Sequence, residues 1–122
     1  MKPKIVKGNA LKEIPTAERV LIAENYSAED VSVAQARIKP GITTMAHHLD
    51  GVNEMYIITS GTGQVDVGNL ESTTVTKGDL VVIPAGVSQR ISNIGKTDLV
   101  FYCICTPRFT ASCYNSEESK KQ

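Results

Sequence analysis

The sequence predicts an all-β fold, a single small sandwich or barrel of antiparallel strands. Three observations predict it. Short runs rich in β-branched and apolar residues recur about every 8–12 residues, the spacing of strands in such folds. Turn signals separate the runs: Pro40-Gly41, Asp50-Gly51, Ser60-Gly61, Lys77-Gly78, and Pro84 followed by Gly86. No window of about 12 residues carries a helical apolar period of 3.6.

The elements follow in order. Residues 1–17 read as an N-terminal arm, broken by Pro3 and Pro15, with one short strand at Ile5. The barrel spans 18–115. Residues 19–24 (RVLIAE) are a short apolar run. Residues 30–39 (DVSVAQARIK) are small and β-branched and end at Pro40-Gly41. Residues 43–49 lead to the hairpin signal Asp50-Gly51, and 53–59 (NEMYIIT) to Ser60-Gly61. Residues 64–67 (QVDV) alternate apolar and polar, and 72–76 (STTVT) stop at Lys77-Gly78. Residues 80–83 are a buried-type run halted by Pro84, and 89–92 and 99–106 complete the series. Residues 116–122 (SEESKKQ) read as a frayed polar tail.

Composition narrows the function. The 122 residues fit one domain. Thirteen Lys and Arg balance thirteen Asp and Glu, so no basic excess gathers phosphates and nucleic-acid partners are not expected. Aromatics are 5% with no Trp, which removes a base-stacking platform. No apolar run approaches the roughly 18 residues of a membrane span. The opening MKPKIVKGNA carries positive charge but no apolar stretch behind it, so a cytoplasmic location is expected. Three cysteines, Cys103, Cys105 and Cys113, are an odd number in such a chain and are expected as free thiols. Cys103 and Cys105 share a strand face and read as buried packing residues.

The candidate chemistry lies in two stretches. His47 and His48 are adjacent, so in a strand they point to opposite faces, His47 with Met45 and Leu49. On the next strand Glu54, Tyr56 and Ile58 share one face. Glu is depleted in strands and rarely buried unpaired, so Glu54 is either an exposed strand-end residue or a functional carboxylate. Tyr56 is either a core aromatic or a phenol held in the cavity beside Glu54.

These residues sit at recognisable spacings. Gly41, His47, Leu49, Glu54 and Gly61 resemble the first motif of the cupin superfamily. Gly78, Pro84, Gly86, Gln89 and Asn93 resemble the second. The runs 47–63, 78–93 and 98–109 are similar to a group of small single-domain cupins. The resemblance implies a single cupin-type β-barrel, the double-stranded β-helix or jelly roll. It also implies a divalent metal ion (Mn, Fe, Ni or Zn) in the barrel. Two ligand positions depart from the family: Leu49 and Gln89 stand where histidines are usual. The implied metal set is therefore His47, Glu54 and Gln89, a weak one, and His48 joins it only if a bulge turns it inward.

Under that resemblance Glu54 and Tyr56 are the candidate catalytic residues, with Arg37 or Arg90 to orient a substrate. The expected function is binding or turnover of a small organic acid or sugar derivative at the metal, with dioxygenase, decarboxylase, lyase and sugar isomerase chemistry all open. The alternative is a metal-free sensor or small-molecule or carbohydrate-binding module. Either reading expects a homodimer, formed over an outer apolar face supplied by Met55, Ile57 and the Val81/Ile83 series.

Overall fold

The structure, a computed structural model, describes residues 1–118, so the tail expectation for 119–122 lies outside the described residues. Among the described residues the chain forms β1 (Ile14–Pro15), β2 (Leu21–Ala28), β3 (Val31–Ile38), β4 (His47–Leu49), β5 (Asn53–Ser60), β6 (Gly63–Val67), β7 (Thr73–Val75), β8 (Leu80–Ile83), β9 (Gln89–Asn93), β10 (Leu99–Thr106) and β11 (Tyr114–Ser116). One antiparallel sheet runs β1-β2-β3-β10-β5-β8 and the other β11-β4-β9-β6-β7. This is the antiparallel all-β architecture that the strand spacing predicts, arranged as the jelly roll that the resemblance implies. No described helix is long and apolar enough to cross a membrane.

Alternation drives the packing. Along β5, Glu54, Tyr56 and Ile58 are buried while Asn53, Ile57 and Ser60 are exposed. β9 does the same with Gln89, Ile91 and Asn93 inward and Arg90 outward. The inner faces of both sheets meet in one core that joins Ile38, Ile58, Val65, Ile83, Ile91 and Leu99. Successive side chains of a strand alternate faces, so a half-buried strand needs this pattern.

Gly61 turns the chain out of β5 with φ 86°. A Cβ there would stand 2.5 Å from the Asp98 carbonyl oxygen, so both the conformation and the space require glycine. At the same end, Thr59 opens a bulge in the β5–β10 ladder, and its Oγ1 donates to the Val100 carbonyl at 3.0 Å.

Several expectations need adjusting. Ile5 is 87% exposed and lies in no strand. β2 continues to Ala28, four residues beyond its expected end. Residues 43–46 lie outside β4, because Thr44 answers β9 partly through its side chain: its Oγ1 accepts from Ile91 N–H at 3.1 Å. β1 and β11 are short polar or proline-bearing strands without a periodic signal. The described end of the polar tail is engaged, with Ser116 in β11.

The outer apolar face also differs in its residues. Val81 and Ile83 are 7% and 1% exposed and belong to the core. Leu80 and Val82 point outward instead, on the edge strand β8, paired across β5 with Ile57 and Met55.

Candidate functional site

A cavity of about 190 Å³ opens between the inner faces of the two sheets. β4 brings His47 and Leu49 to it, β5 brings Glu54 and Tyr56, and β10 brings Phe101, Cys103 and Cys105. Register fixes the neighbours: Cys105 lies opposite Glu54 and Cys103 opposite Tyr56. Across the other sheet His47 lies opposite Gln89.

Gln89 is 1% exposed but does not line the cavity. Its Oε1 accepts the hydrogen bond of the Tyr56 hydroxyl, and its Nε2 has no partner. Burial pushes the Tyr56 phenol well above its ordinary value, with the Glu54 carboxyl adding to the rise. Tyr56 thus spends its proton on Gln89 and keeps it over the working pH range.

His47 is held from behind. Its Nδ1 lies 2.8 Å from the Met45 carbonyl oxygen. A carbonyl only accepts, so Nδ1 carries the hydrogen, and the neutral ring leaves Nε2 as an acceptor. Tyr114 of β11 stacks on the imidazole at 4.7 Å between centroids. Glu18 Oε2 stands 3.8 Å from Nδ1. Burial raises the Glu18 carboxyl, while the neighbouring His47 and the Tyr114 hydroxyl draw it back.

Glu54 is the most buried carboxyl of the cavity. It is 8% exposed and makes no hydrogen bond of good geometry among the described residues. Burial pushes its carboxyl from 4.5 to about 7, against the pull of the Gln89 amide and the Cys105 thiol. Burial also raises the Cys103 and Cys105 thiols, and the Glu54 carboxyl beside them pushes the same way. All three cysteines are free.

The remaining candidates sit elsewhere. His48 faces away from the cavity, its Nδ1 2.7 Å from Glu117 Oε2. The β4–β11 register is continuous through it, so no bulge turns it inward. Arg37 pairs with Glu13 at 2.7 Å and Asp98 at 3.1 Å. Arg90 pairs with Asp66 at 3.1 Å on the outer face of β9. Neither arginine lines the cavity. The sequence reading passed over Glu18, Glu24 and Tyr114. Glu18 and Glu24 line the cavity, and the only signal for them is a carboxylate bracketing each end of the apolar run 19–24.

The donor set does not fit a divalent ion. Gln89 Oε1 already accepts from Tyr56, and its free end is an amide NH₂, which donates and repels a cation. Leu49 offers no ligand. Among the described residues no three His, Cys, Asp or Glu side chains gather in a group able to hold an ion.

Comparison with known proteins places the architecture. A family model described as Cupin domain matches residues 34–105. The uncharacterized protein MJ1618 of Methanocaldococcus jannaschii is 31% identical over 111 residues, which cover 90% of this chain and 83% of that protein. The structure of KdgF from Halomonas sp. superposes with a TM-score of 0.83 at 12% identity, covering 91% of this chain and 99% of that one. A predicted oxalate decarboxylase from Thermotoga maritima superposes with a TM-score of 0.78 at 23% identity, covering 84% and 98%. At these identities the two structures speak for the fold alone.

Proposed function

This chain belongs to the cupin domain family, and from that premise we propose that its barrel binds one small organic molecule between the sheets without a resident metal ion. The observation that carries the reading is Glu54, a nearly buried carboxyl that lines the cavity, makes no hydrogen bond of good geometry among the described residues and has no positive charge beside it. An unpaired buried polar group costs on the order of 1–3 kcal/mol, and a ligand donor placed on it removes that cost. Leu49, Ile91 and Phe101 supply apolar walls for the body of the ligand. His47 Nε2 is the second acceptor. A neutral sugar derivative or another donor-bearing molecule suits these groups. An organic acid finds no counter-charge, since no Lys or Arg lines the cavity among the described residues.

A second reading adds proton transfer. A carboxyl near pH 7 facing a cavity suits a general acid–base role. Glu54 would hold or release the proton at its carboxyl oxygen, His47 Nε2 would receive one, and Tyr56 would keep Gln89 in place behind them.

The metal-bearing alternative places Mn, Fe, Ni or Zn on His47, Glu54 and Gln89. Metal analysis of protein purified without chelator separates it from the metal-free reading. The proposal expects well under about 0.1 ion per chain and no thermal stabilisation by any of the four ions. Close to one ion per chain, lost in His47→Ala, overturns it in favour of the metal-bearing site.

A further inference from the structure

Resting on the reading of the cavity as a small-molecule site, we infer that its ligand is a small protonated amine with an apolar body, the ammonium seated on Glu54. The charge of the lining points there. Three carboxylates border the cavity: Glu54 of β5, Glu24 of β2, and Glu18 of the segment ahead of β2. The one nitrogen base among them is His47, and its free Nε2 accepts. Arg19, next to Glu18, is turned away, its Nε donating to the Thr43 carbonyl at 2.8 Å and its guanidinium pairing with Glu118 at 2.9 Å. An anionic ligand would meet like charge with nothing to offset it. An ammonium meets opposite charge and two acceptors, and it carries three N–H donors.

Carboxylates around a hollow do not by themselves make a site. The independent observation is that Glu54 is 8% exposed, lines the cavity, makes no hydrogen bond of good geometry among the described residues and has no positive charge beside it. A buried carboxylate without a counter-charge is costly, and a cationic ligand supplies that charge from within the cavity. The walls agree. Tyr56 and Phe101 pack with ring centroids 4.6 Å apart and present an aromatic surface toward the same space. Such faces attract a cation and pack against an apolar body.

Volume sets the size. An apolar cavity of about 150 Å³ accommodates benzene. At about 190 Å³ this one takes a single ring or its aliphatic equivalent with a short aminoalkyl arm.

Three probes of one shape test the inference: benzylamine, benzyl alcohol and benzoate, each titrated calorimetrically into the full chain at pH 8 and low salt. Benzylamine should bind about tenfold or more tighter than benzyl alcohol, with benzoate weakest. Glu54→Gln should bring benzylamine to within about twofold of benzyl alcohol. Glu54→Asp, which keeps the charge, should retain the amine preference, and this guards against a general loss of folding. If benzyl alcohol matches benzylamine in the wild type, or benzoate binds tightest, the amine inference is overturned and the cavity reading stands. If no probe binds at about 10 mM, both fall.

Discussion

The Tyr56 hydroxyl donates its hydrogen bond to Gln89 Oε1 across the closed side of the barrel, between β5 and β9. The pair joins the two sheets behind the cavity and leaves Gln89 Nε2 unpartnered. Gln89 therefore acts on the site through Tyr56 and does not line it. Glu54, two residues before Tyr56 on the same strand face, is left as the most buried carboxyl lining the cavity.

Tyr56→Phe removes the only bond of good geometry to the Gln89 side chain among the described residues, while keeping the ring packed on Phe101. The amide is then unsatisfied at both ends. Urea unfolding should show a loss of about 1–3 kcal/mol. An unchanged midpoint would mean that the pair carries no stability.

Glu54 gives stability a pH slope of definite sign. Its folded carboxyl titrates at about 7, above its unfolded value of 4.5. The unfolded chain releases the proton first, so this group's contribution is most favourable below pH 4.5, falls as the pH climbs toward 7, and stays low above. The full swing is on the order of 3 kcal/mol. Glu54→Gln should flatten that slope, so the variant gains on the wild type between pH 4 and pH 8. Stability curves that run parallel across that range would contradict the burial assigned to Glu54.

The β8 register separates the neighbours Val82 and Ile83 sharply. Ile83→Ala opens a cavity in the core and should cost about 2–5 kcal/mol. Val82→Ala, on the exposed face, should stay within about 0.5 kcal/mol of the wild type. Thermal or urea midpoints check both, and equal losses would place β8 one residue out of register.

The exposed row of Leu80 and Val82, beside Ile57, is the face proposed to pair two copies of the chain. It lies on an edge strand, where an unpaired ladder and an apolar surface invite association. Sedimentation should show a dimer for the wild type and a monomer for the Leu80→Lys, Val82→Lys double variant, with the same circular dichroism. A wild-type monomer at high micromolar concentration removes the homodimer.

The fold was legible because two local signals agree with the global one. Glycine-bearing turns at Gly61, Gly78 and Gly86 take positive φ in the structure, and period-2 alternation sends Glu54, Tyr56 and Ile58 inward together. The face assignment of His47 with Leu49 follows from the same rule and holds. Alternation holds on β8 but does not say which face turns inward, because Val81 and Val82 are alike in kind and only the register against Tyr56 and Met55 tells them apart. The site was legible in part. Periodicity places His47 and Glu54 on one cavity, but it cannot tell that Gln89 turns its oxygen to Tyr56. Nor can it bring Glu18 beside His47, 29 positions away in sequence, or Tyr114 onto the imidazole. Those contacts depend on how distant segments close over the barrel.

We propose above all that a small organic molecule enters the barrel beside Glu54. Amide chemical-shift mapping of the labelled full chain, titrated with benzyl alcohol, tests it most directly. The predicted result is a saturable set of shifts centred on Glu54, Tyr56, Cys103 and Cys105. Shifts absent from those four, or confined to the outer face at Leu80 and Val82, would contradict it.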